Sequence, residues 1–316
     1  MDVGGTKIAA ALVSPDGTTR HVLTADTPDR RAPSDQVEQI VVDLVGRLSG
    51  GRRVPVGIGA AGFVDSAGTT VRFSPHVNWC EEPVAERLTD RLGMPVTLDN
   101  DANAAGWAEY MYGAGHGEAR LIFVGLGTGI GGALIYDGLI ERGAHGMAGE
   151  FGHMNVVPGG RECPCGQRGC WERYCSGTAL IAEAVDLLAT SGPAGDRLRT
   201  KHAKDASWLT GRNIAQLARH GDPGAAQILH AAGIWLGRGL SALAAALDPG
   251  RIVIGGGLSG LGDVLLEPAR LELARTLAGG THRPLLPVMA GALGPHAGVI
   301  GAADLARRAA EAIPGR

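Results

Sequence analysis

Two segments of this chain follow the same plan, and that repetition limits the folds available to it. GGTKIAAALVSPDG at 4–17 and GTGIGGALIYDG at 127–138 each run from a glycine-rich turn into an apolar strand that ends at Asp-Gly. Asp-Gly between apolar runs is a strong hairpin signal. A buried strand, LIFVGL at 121–126, precedes the second copy. We therefore predict two halves built on one strand–turn–strand unit; the alternative is a chance match in a chain with 51 glycines.

Helix and strand patterns alternate along the rest of the chain, which predicts an α/β fold. Apolar residues share one helical face at 37–48, with Ser34 as the predicted N-cap, and strand patterns follow at 54–65 and 95–100. The second half is mainly helical, with predicted helices at 178–190, 212–220, 223–247 and 298–312 and a strand with a glycine turn at 251–260. We expect a small α/β lobe formed by 1–105 and about 298–316, and a large α/β lobe formed by 106–297 that carries a cysteine-rich loop.

The composition indicates a globular protein and argues against several classes of function. Hydrophobic residues make up 45% of the chain, charged residues 19%, and the formal net charge is −3, which gives no general attraction to nucleic acid or anionic membranes. The apolar runs are too short to span a bilayer. Five cysteines, an odd number, and no leader peptide indicate a cytoplasmic protein. Because the chain opens directly on the first glycine turn, we expect either a start upstream of Met1 or a shortened first strand.

Three glycine-rich turns suit the binding of phosphate. They lie at Asp2–Lys7, Gly125–Gly132 and Gly255–Gly257. Glycine permits close approach of the backbone, and the N–H groups of such turns form an anion-binding concavity. Polar side chains that can add to these sites are Asp2, which can hold Mg²⁺ through water, and Thr6, Lys7 and Thr128. No P-loop motif is present, and a strand rather than a helix follows GTGIGG, which argues against a dinucleotide site. For any single turn, a structural glycine is the alternative.

One His and three Cys, spaced H-x₉-C-x-C-x₄-C, form a Cys₃His donor set that suits structural zinc, although C-x-C is tighter than the usual C-x₂-C spacing. The four residues are His153, Cys163, Cys165 and Cys170. Four protein ligands leave no open position, so catalytic zinc is disfavoured, as are disulfides in a reducing compartment. The surrounding segment is rich in Gly and Pro, and metal binding would order it. Glu150 and Glu172 flank the cluster; sugar hydroxyls are their predicted partners, and a surface position or a contact to His153 is the alternative.

The motifs occur together in a recognisable order. DVGGTK, LDNDANAA, GLGTGIGG, GEFGH, CPCGQRGCWERY and IVIGGGLS resemble, in that order and over essentially the whole chain, the ROK family of sugar kinases and related repressors, above all its bacterial ATP-dependent glucokinases. The resemblance implies a duplicated actin-like ATPase (ribonuclease H-like) fold with two lobes around a cleft. It also implies ATP-dependent phosphorylation of the 6-hydroxyl of glucose, with Mg²⁺ and a structural Zn²⁺, in a dimer or tetramer.

The resemblance assigns roles to individual residues. The two phosphate loops would be Asp2, Gly4, Gly5, Thr6 and Lys7 in one half and Gly127, Thr128 and Gly129 in the other, with Gly255, Gly256 and Gly257 beside the adenosine. Asp101 would be the catalytic base, although on spacing alone a helix N-cap is the simpler interpretation. The sugar would be bound by Gly62, Asn100, Asp101, Glu150, His153 and Glu172. Two positions depart from the family's pattern: His76 replaces an Asn, and Asp99 replaces a Glu.

The sequence motifs are also compatible with other substrates and functions. Within the kinases, another hexose, an N-acetylhexosamine or a polyphosphate donor would fit the same motifs. A repressor would carry a helix-turn-helix region before the DVGGTK motif, where this sequence begins. A sugar sensor without catalytic activity would not need Asp101 or the phosphate loops.

Overall fold

The structure is a computed structural model that describes residues 1–190 and 192–312. Its strands are β1 (Asp2–Val3), β2 (Lys7–Val13), β3 (Thr19–Asp26), β4 (Val56–Ala60), β5 (Phe63–Val64), β6 (Val71–Phe73), β7 (Cys80–Glu82), β8 (Val96–Asn100), β9 (Arg120–Leu126), β10 (Ile130–Tyr136), β11 (Leu139–Ile140), β12 (Arg251–Gly255) and β13 (Val288–Ala290). Its helices are α1 (Ser34–Ser49), α2 (Val84–Leu92), α3 (Asp101–Tyr112), α4 (Glu172–Cys175), α5 (Gly177–Leu188), α6 (Asp196–Lys204), α7 (Gly211–Arg219), α8 (Pro223–Leu247), α9 (Asp263–Thr276) and α10 (Ala297–Glu311).

Two five-stranded sheets repeat one strand order, which confirms the predicted duplication. The first runs β3-β2-β1-β4-β8 and the second β11-β10-β9-β12-β13. In the first, β1, β2 and β3 pair antiparallel, and β4 pairs parallel with β1 and with β8. In the second, β10 and β11 pair antiparallel and β12 and β13 pair parallel. The two glycine-rich turns that resemble each other in sequence therefore occupy the same position in each sheet, at the β1–β2 and β9–β10 turns.

The chain divides into two compact units. The first comprises Met1–Phe123, Gly132–Gly149 and Ala292–Arg316, and the second comprises Val124–Gly131 and Glu150–Gly291. The predicted boundary near residue 105 falls inside α3, so this division differs from the predicted lobes. The expected return of the final helix to the first half agrees with the first unit, which contains α10.

Helix α10 packs backbone to backbone within the first unit. A Cβ atom added at Gly57 of β4 would lie 1.8 Å from the carbonyl oxygen of Ala302, and one added at Gly301 would lie 1.7 Å from that of Ala104 in α3. No side chain fits at such distances, so glycine is required at both positions. The close contact joins α10 directly to β4 and to α3, the helix that begins at Asp101.

The start of helix α1 differs from its sequence-based prediction. Ser34 is the first helical residue and Pro33 occupies the N-cap position, without a side-chain capping hydrogen bond. Predicting Ser34 as the cap was therefore wrong by one residue, a typical error at helix ends.

Helix α8 is the long core helix of the second unit. It begins with Pro223 after the N-cap Asp222, whose Oδ1 accepts a hydrogen bond from the Ala225 N–H at 2.8 Å, and it ends at Asp248 in the left-handed region. This confirms the predicted helix at 223–247. Contrary to the expectation from the apolar runs, α8 is long and apolar enough to cross a membrane. However, 61% of its most apolar 18-residue stretch is buried inside the protein. Its hydrophobicity therefore serves internal packing.

Asp304 of α10 ties helices together in the first unit. Its carboxylate accepts hydrogen bonds from Trp107 Nε1 (2.9 Å) and the Tyr112 hydroxyl (2.6 Å) and pairs with Arg307 and Arg308. Burial alone would raise the pKa of Asp304, but these donors outweigh it and lower the pKa to about 2. Since the unfolded value is higher, the ionised carboxylate stabilises the fold above pH 4, and this contribution disappears as the pH falls through about 2.

We therefore expect Asp304→Asn to lower the free energy of unfolding at pH 7 by about 2 kcal/mol. The difference from the wild type should shrink between pH 4 and pH 2, as the native carboxylate becomes protonated. Urea unfolding across this pH range checks the prediction, with the exposed Asp43 changed to Asn as a control. A difference that stays constant with pH would show that the carboxylate charge is not what stabilises α10.

Candidate active site and metal centre

The first glycine turn, between β1 and β2, is held in place by Thr27. The Thr27 hydroxyl donates to the carbonyl oxygen of Gly4 (2.7 Å), and its N–H donates to that of Thr6 (3.2 Å). The Gly4 N–H closes the turn on the carbonyl oxygen of Lys7 (3.1 Å). Gly5, Thr6 and Lys7 are exposed. The turn is thus rigid at its base and open to solvent at its tip, as an anion-binding turn requires.

Two side chains line this turn within the first unit. Asp2 is half-buried, and burial raises the pKa of its carboxyl, which the nearby amino terminus and Lys7 partly offset. A Cβ atom at Gly298 would lie 2.8 Å from Asp2 Oδ2, and one at Gly5 would lie 2.6 Å from the ring of His76. His76, which departs from the family's pattern, therefore lies directly against the predicted phosphate turn.

The end of β8 presents Asn100 and Asp101. The Asn100 side chain is the N-cap of α3, because its Oδ1 accepts from the N–H groups of Ala102 (2.9 Å) and Asn103 (3.1 Å). Its Nδ2 donates to the carbonyl oxygen of Gly62 (3.0 Å). Asn100, not Asp101, thus caps the helix. Asp101 is the first helical residue and accepts from the Ala102 N–H at 2.8 Å, where the positive end of the helix dipole favours an ionised carboxylate.

Gly62 brings the backbone of a neighbouring loop close to this helix start. Its φ is +148°, and a Cβ atom there would lie 2.4 Å from the carbonyl oxygen of Phe73. Only glycine fits this position. The structure therefore groups three predicted residues of the first unit, Gly62, Asn100 and Asp101, at one corner.

The second glycine turn, between β9 and β10, is held by the start of α5. The Gly177 N–H donates to the carbonyl oxygen of Gly127 (2.8 Å), and the Thr178 hydroxyl donates to that of Thr128 (2.9 Å). Within the turn, the Gly127 N–H donates to the carbonyl oxygen of Gly129 (3.0 Å). Sequence reasoning did not identify Gly177 or Thr178 as supports of this turn; the only local signal was Ser-Gly-Thr at the start of a predicted helix.

The third glycine turn packs against the strand that leads into the second. Gly256 has φ +79°, and a Cβ atom there would lie 2.4 Å from the carbonyl oxygen of Leu126. The same oxygen accepts from the Leu258 N–H at 3.0 Å. The predicted adenosine turn, Gly255–Gly257, and the second phosphate turn thus lie together in the second unit.

The four predicted metal ligands converge. The ligand atoms of His153, Cys163, Cys165 and Cys170 all lie within 4.8 Å of one another. Cys163 Sγ is 3.7 Å from His153 Nδ1, and Cys165 Sγ is 3.6 Å from Cys170 Sγ. Tetrahedral Zn²⁺ with bonds of about 2.0–2.3 Å places its ligand atoms roughly 3.4–3.8 Å apart. All five cysteines are free thiols, so the donor set fits a structural zinc ion and not a disulfide.

A tight turn shapes the cysteine segment. The Cys163 N–H donates to the carbonyl oxygen of Gln167 (2.9 Å), and the Gly166 N–H donates to that of Cys163 (3.0 Å). Burial would raise the pKa of Cys165, but the backbone N–H of Gln167 and the neighbouring thiols outweigh burial and lower it. Burial raises the pKa of Cys163 and Cys170, so of these three thiols Cys165 is the one shifted towards the thiolate form that a metal ion binds.

Glu150, His153 and Glu172 surround the cluster. His153 presents Nδ1 to the cysteines, while its Nε2 lies 3.9 Å from Glu150 Oε2. Glu172 receives a hydrogen bond from the Cys163 thiol (3.2 Å) and lies 3.4 Å from the Ile130 N–H. Burial raises the pKa of Glu150; Glu172 adds to this effect and His153 opposes it. Hydrogen bonds from hydroxyl groups would stabilise the ionised carboxylate of Glu150 in this environment. This is compatible with the predicted contacts to sugar hydroxyls.

Comparison with known proteins identifies the family. The model of the ROK family matches residues 1–309. The chain belongs to the ROK family. It is 41% identical over 307 residues to a glucokinase of Streptomyces coelicolor, covering 97% of this chain and 96% of that protein. This identity extends over both compact units.

Solved structures of the family share the fold. A ROK family glucokinase from Streptomyces griseus in complex with glucose and AMPPNP is 40% identical, with a TM-score of 0.89 over 97% of this chain and 98% of that one. A ROK hexokinase from Thermus thermophilus is 31% identical, with a TM-score of 0.76 over 98% and 97% of the two chains. The expected α/β fold of the actin-like ATPase class is thereby confirmed.

Proposed function

We propose that this ROK protein is an ATP-dependent glucokinase that transfers the γ-phosphoryl group of ATP to the 6-hydroxyl of glucose. The observation that carries the proposal is the 41% identity, over 97% of the chain, to a glucokinase. The similarity to a glucokinase in complex with glucose and AMPPNP supports the same substrates. The grouped residues of each unit are compatible with this reaction.

Asp101 is the proposed catalytic base. Phosphoryl transfer depends mainly on positioning and on neutralising charge, with one group to orient the attacking hydroxyl and accept its proton. The start of α3 favours the ionised carboxylate of Asp101, and Asn100 already performs the capping that would otherwise engage it. Gly62 and Asn100 at the same corner are proposed sugar contacts; the Asn100 amide donates one of its two hydrogens to Gly62.

The three glycine turns are proposed to bind ATP. The Gly4 and Gly127 N–H groups already bond within their turns; other backbone N–H groups of Gly4–Lys7 and Gly127–Gly129, with the Thr hydroxyls, would hold phosphate oxygens. Gly255–Gly257 would lie beside the adenosine. Asp2 would hold Mg²⁺ through water; this ion would neutralise charge on the phosphates. The half-buried position of Asp2 beside the first turn supports this role.

The metal cluster is proposed to shape the sugar-binding loop. Zn²⁺ would be held by His153, Cys163, Cys165 and Cys170 and would supply structural rigidity rather than chemistry. The carboxylates of Glu150 and Glu172 would then accept hydrogen bonds from sugar hydroxyls. The second ring nitrogen of His153, Nε2, would donate to one. A cytoplasmic location and a dimeric or tetrameric state stay as predictions from the family resemblance, and size-exclusion chromatography with light scattering tests the second.

A panel of sugars and donors tests the proposed activity. We expect glucose with ATP to give the highest kcat/KM, and ³¹P NMR to show phosphate on O6, because buried polar groups discriminate strongly between hydroxyl orientations. Mannose, fructose, allose, N-acetylmannosamine and polyphosphate serve as comparisons. A higher kcat/KM for another sugar would reassign the substrate, and binding of glucose without any transfer would favour a sugar sensor.

A further inference from the structure

A buried carboxylate immediately precedes the predicted catalytic corner. Asp99, in β8, is 5% exposed. Its Oδ1 accepts from the Asn100 N–H (2.9 Å) and from Asn103 Nδ2 (2.9 Å). Its Oδ2 accepts from Arg142 Nε (3.1 Å) and Nη2 (2.5 Å). Four donors therefore saturate this carboxylate, and two of them belong to residues on either side of Asp101.

Arg142 reaches Asp99 from the loop that follows β11. Its side chain is about one-third exposed, while the Asp99 side chain is 6% exposed. The Arg142 backbone is itself fixed, because its carbonyl oxygen accepts from the Ala148 N–H at 3.1 Å. Two N–H groups of the Arg142 guanidinium donate to the same Asp99 oxygen, so they fix the orientation of the two side chains relative to each other. A lysine ammonium group in place of Arg142 would fix it less well.

Asp99 and Asn100, the two residues before Asp101, hold the backbone around it through their side chains. Asp99 binds the Asn100 N–H and the Asn103 side chain, and Asn100 caps α3 and donates to Gly62. Asp101 lies between these fixed points. Its carboxylate direction therefore depends on the orientation of the β8 end, which the Arg142–Asp99 ion pair restrains.

We propose that Arg142 and Asp99 form a positioning pair that aims the Asp101 carboxylate at the acceptor hydroxyl. This inference rests on the proposed kinase function and on Asp101 as its base. Arg142 does not need to touch substrate. A misplacement of about 1 Å at a reacting group can lower a rate by about 100-fold, so losing the pair should reduce kcat without removing the sugar contacts.

Kinetics of Arg142→Met, alone and combined with Asp101→Asn, test the proposal. We expect Arg142→Met to lower kcat for glucose about 30- to 100-fold and to change the glucose dissociation constant less than three-fold, at a temperature well below its thermal midpoint. In the Asp101→Asn background, the same substitution should lower the residual rate less than about two-fold. Arg142→Lys, which keeps the charge, should recover part of kcat. The control is Arg72→Met, which removes an exposed pair with Glu81 and should leave kcat unchanged.

The outcomes separate three explanations. The pair would have a merely structural role if Arg142→Met lowered kcat equally in the wild type and in the Asp101→Asn background. The same conclusion would follow if Arg142→Met lowered the thermal midpoint but not kcat. Either result would overturn the inference. Unchanged kcat in both Arg142→Met and Arg142→Lys would overturn it as well. If Asp101→Asn alone keeps near-normal turnover, or the wild type transfers no phosphate to glucose, the proposed function itself fails, and the positioning role fails with it.

Discussion

Asp101→Asn is expected to lower kcat for glucose phosphorylation about 1,000-fold and to change the glucose dissociation constant by less than about three-fold. The asparagine amide has nearly the shape of the aspartate carboxylate, and its oxygen can still accept a hydrogen bond from the Ala102 N–H. It cannot accept the proton of the attacking hydroxyl. Asn100 retains the helix cap, so the fold should persist. A coupled ADP assay measures kcat, and isothermal titration calorimetry measures glucose binding.

Asp263→Asn is the matched control for this variant. Asp263 is also the first residue of a helix, α9, but its side chain is exposed and pairs with Arg270 at 2.8 Å. We expect its substitution to leave kcat unchanged. Near-normal turnover in Asp101→Asn would remove Asp101 from the role of base. A parallel loss of glucose affinity would instead show that Asp101 mainly binds the sugar.

Cys165→Ser is expected to abolish zinc binding and to raise the KM for glucose at least ten-fold. Cys165 is exposed, so its replacement creates no cavity and mainly removes one proposed zinc ligand. Zinc binding contributes on the order of 10 kcal/mol in small zinc-dependent segments, and without it the Gly- and Pro-rich loop should lose its order. Measurements are the zinc content by mass spectrometry, the KM for glucose, and protease cleavage within 155–170.

The control for this substitution is Cys80→Ser. Cys80 is another exposed free thiol and lies outside the cluster, so zinc content and KM should match the wild type. Removing zinc from the wild type with a chelator should reproduce the Cys165→Ser result, and adding Zn²⁺ back should restore only the wild type. If metal-free protein bound glucose with normal affinity, the metal would not be needed for sugar binding.

Local sequence signals predicted the repeated sheets and the metal cluster. The Asp-Gly turns and apolar strands of 4–17 and 127–138 lie within single hairpins, so their signal is contained in short windows. The four predicted metal ligands lie within 18 residues of sequence, from His153 to Cys170, and their donor chemistry is sufficient to predict that they converge. Helix α8 has strong end signals at Asp222-Pro223 and at Asp248-Pro249.

Other features depend on partners that are distant in sequence. Arg142 and Asp99 are 43 residues apart, and nothing in either segment predicts that they pair. Helix α6 was missed because Leu198 is its one buried residue, which leaves no apolar stripe to detect. The short strands β5, β6 and β7 contain two or three residues each, fewer than an alternation pattern needs.

A crystal structure with glucose and a non-hydrolysable ATP analogue would show directly whether Asp101 is placed to act as the base. We predict that an Asp101 carboxylate oxygen lies about 2.6–3.2 Å from O6 of glucose, with the γ-phosphate analogue on the opposite side of O6 and zinc on the Cys₃His cluster. Glucose bound with O6 out of reach of Asp101, or with another hydroxyl facing the phosphate, would contradict it.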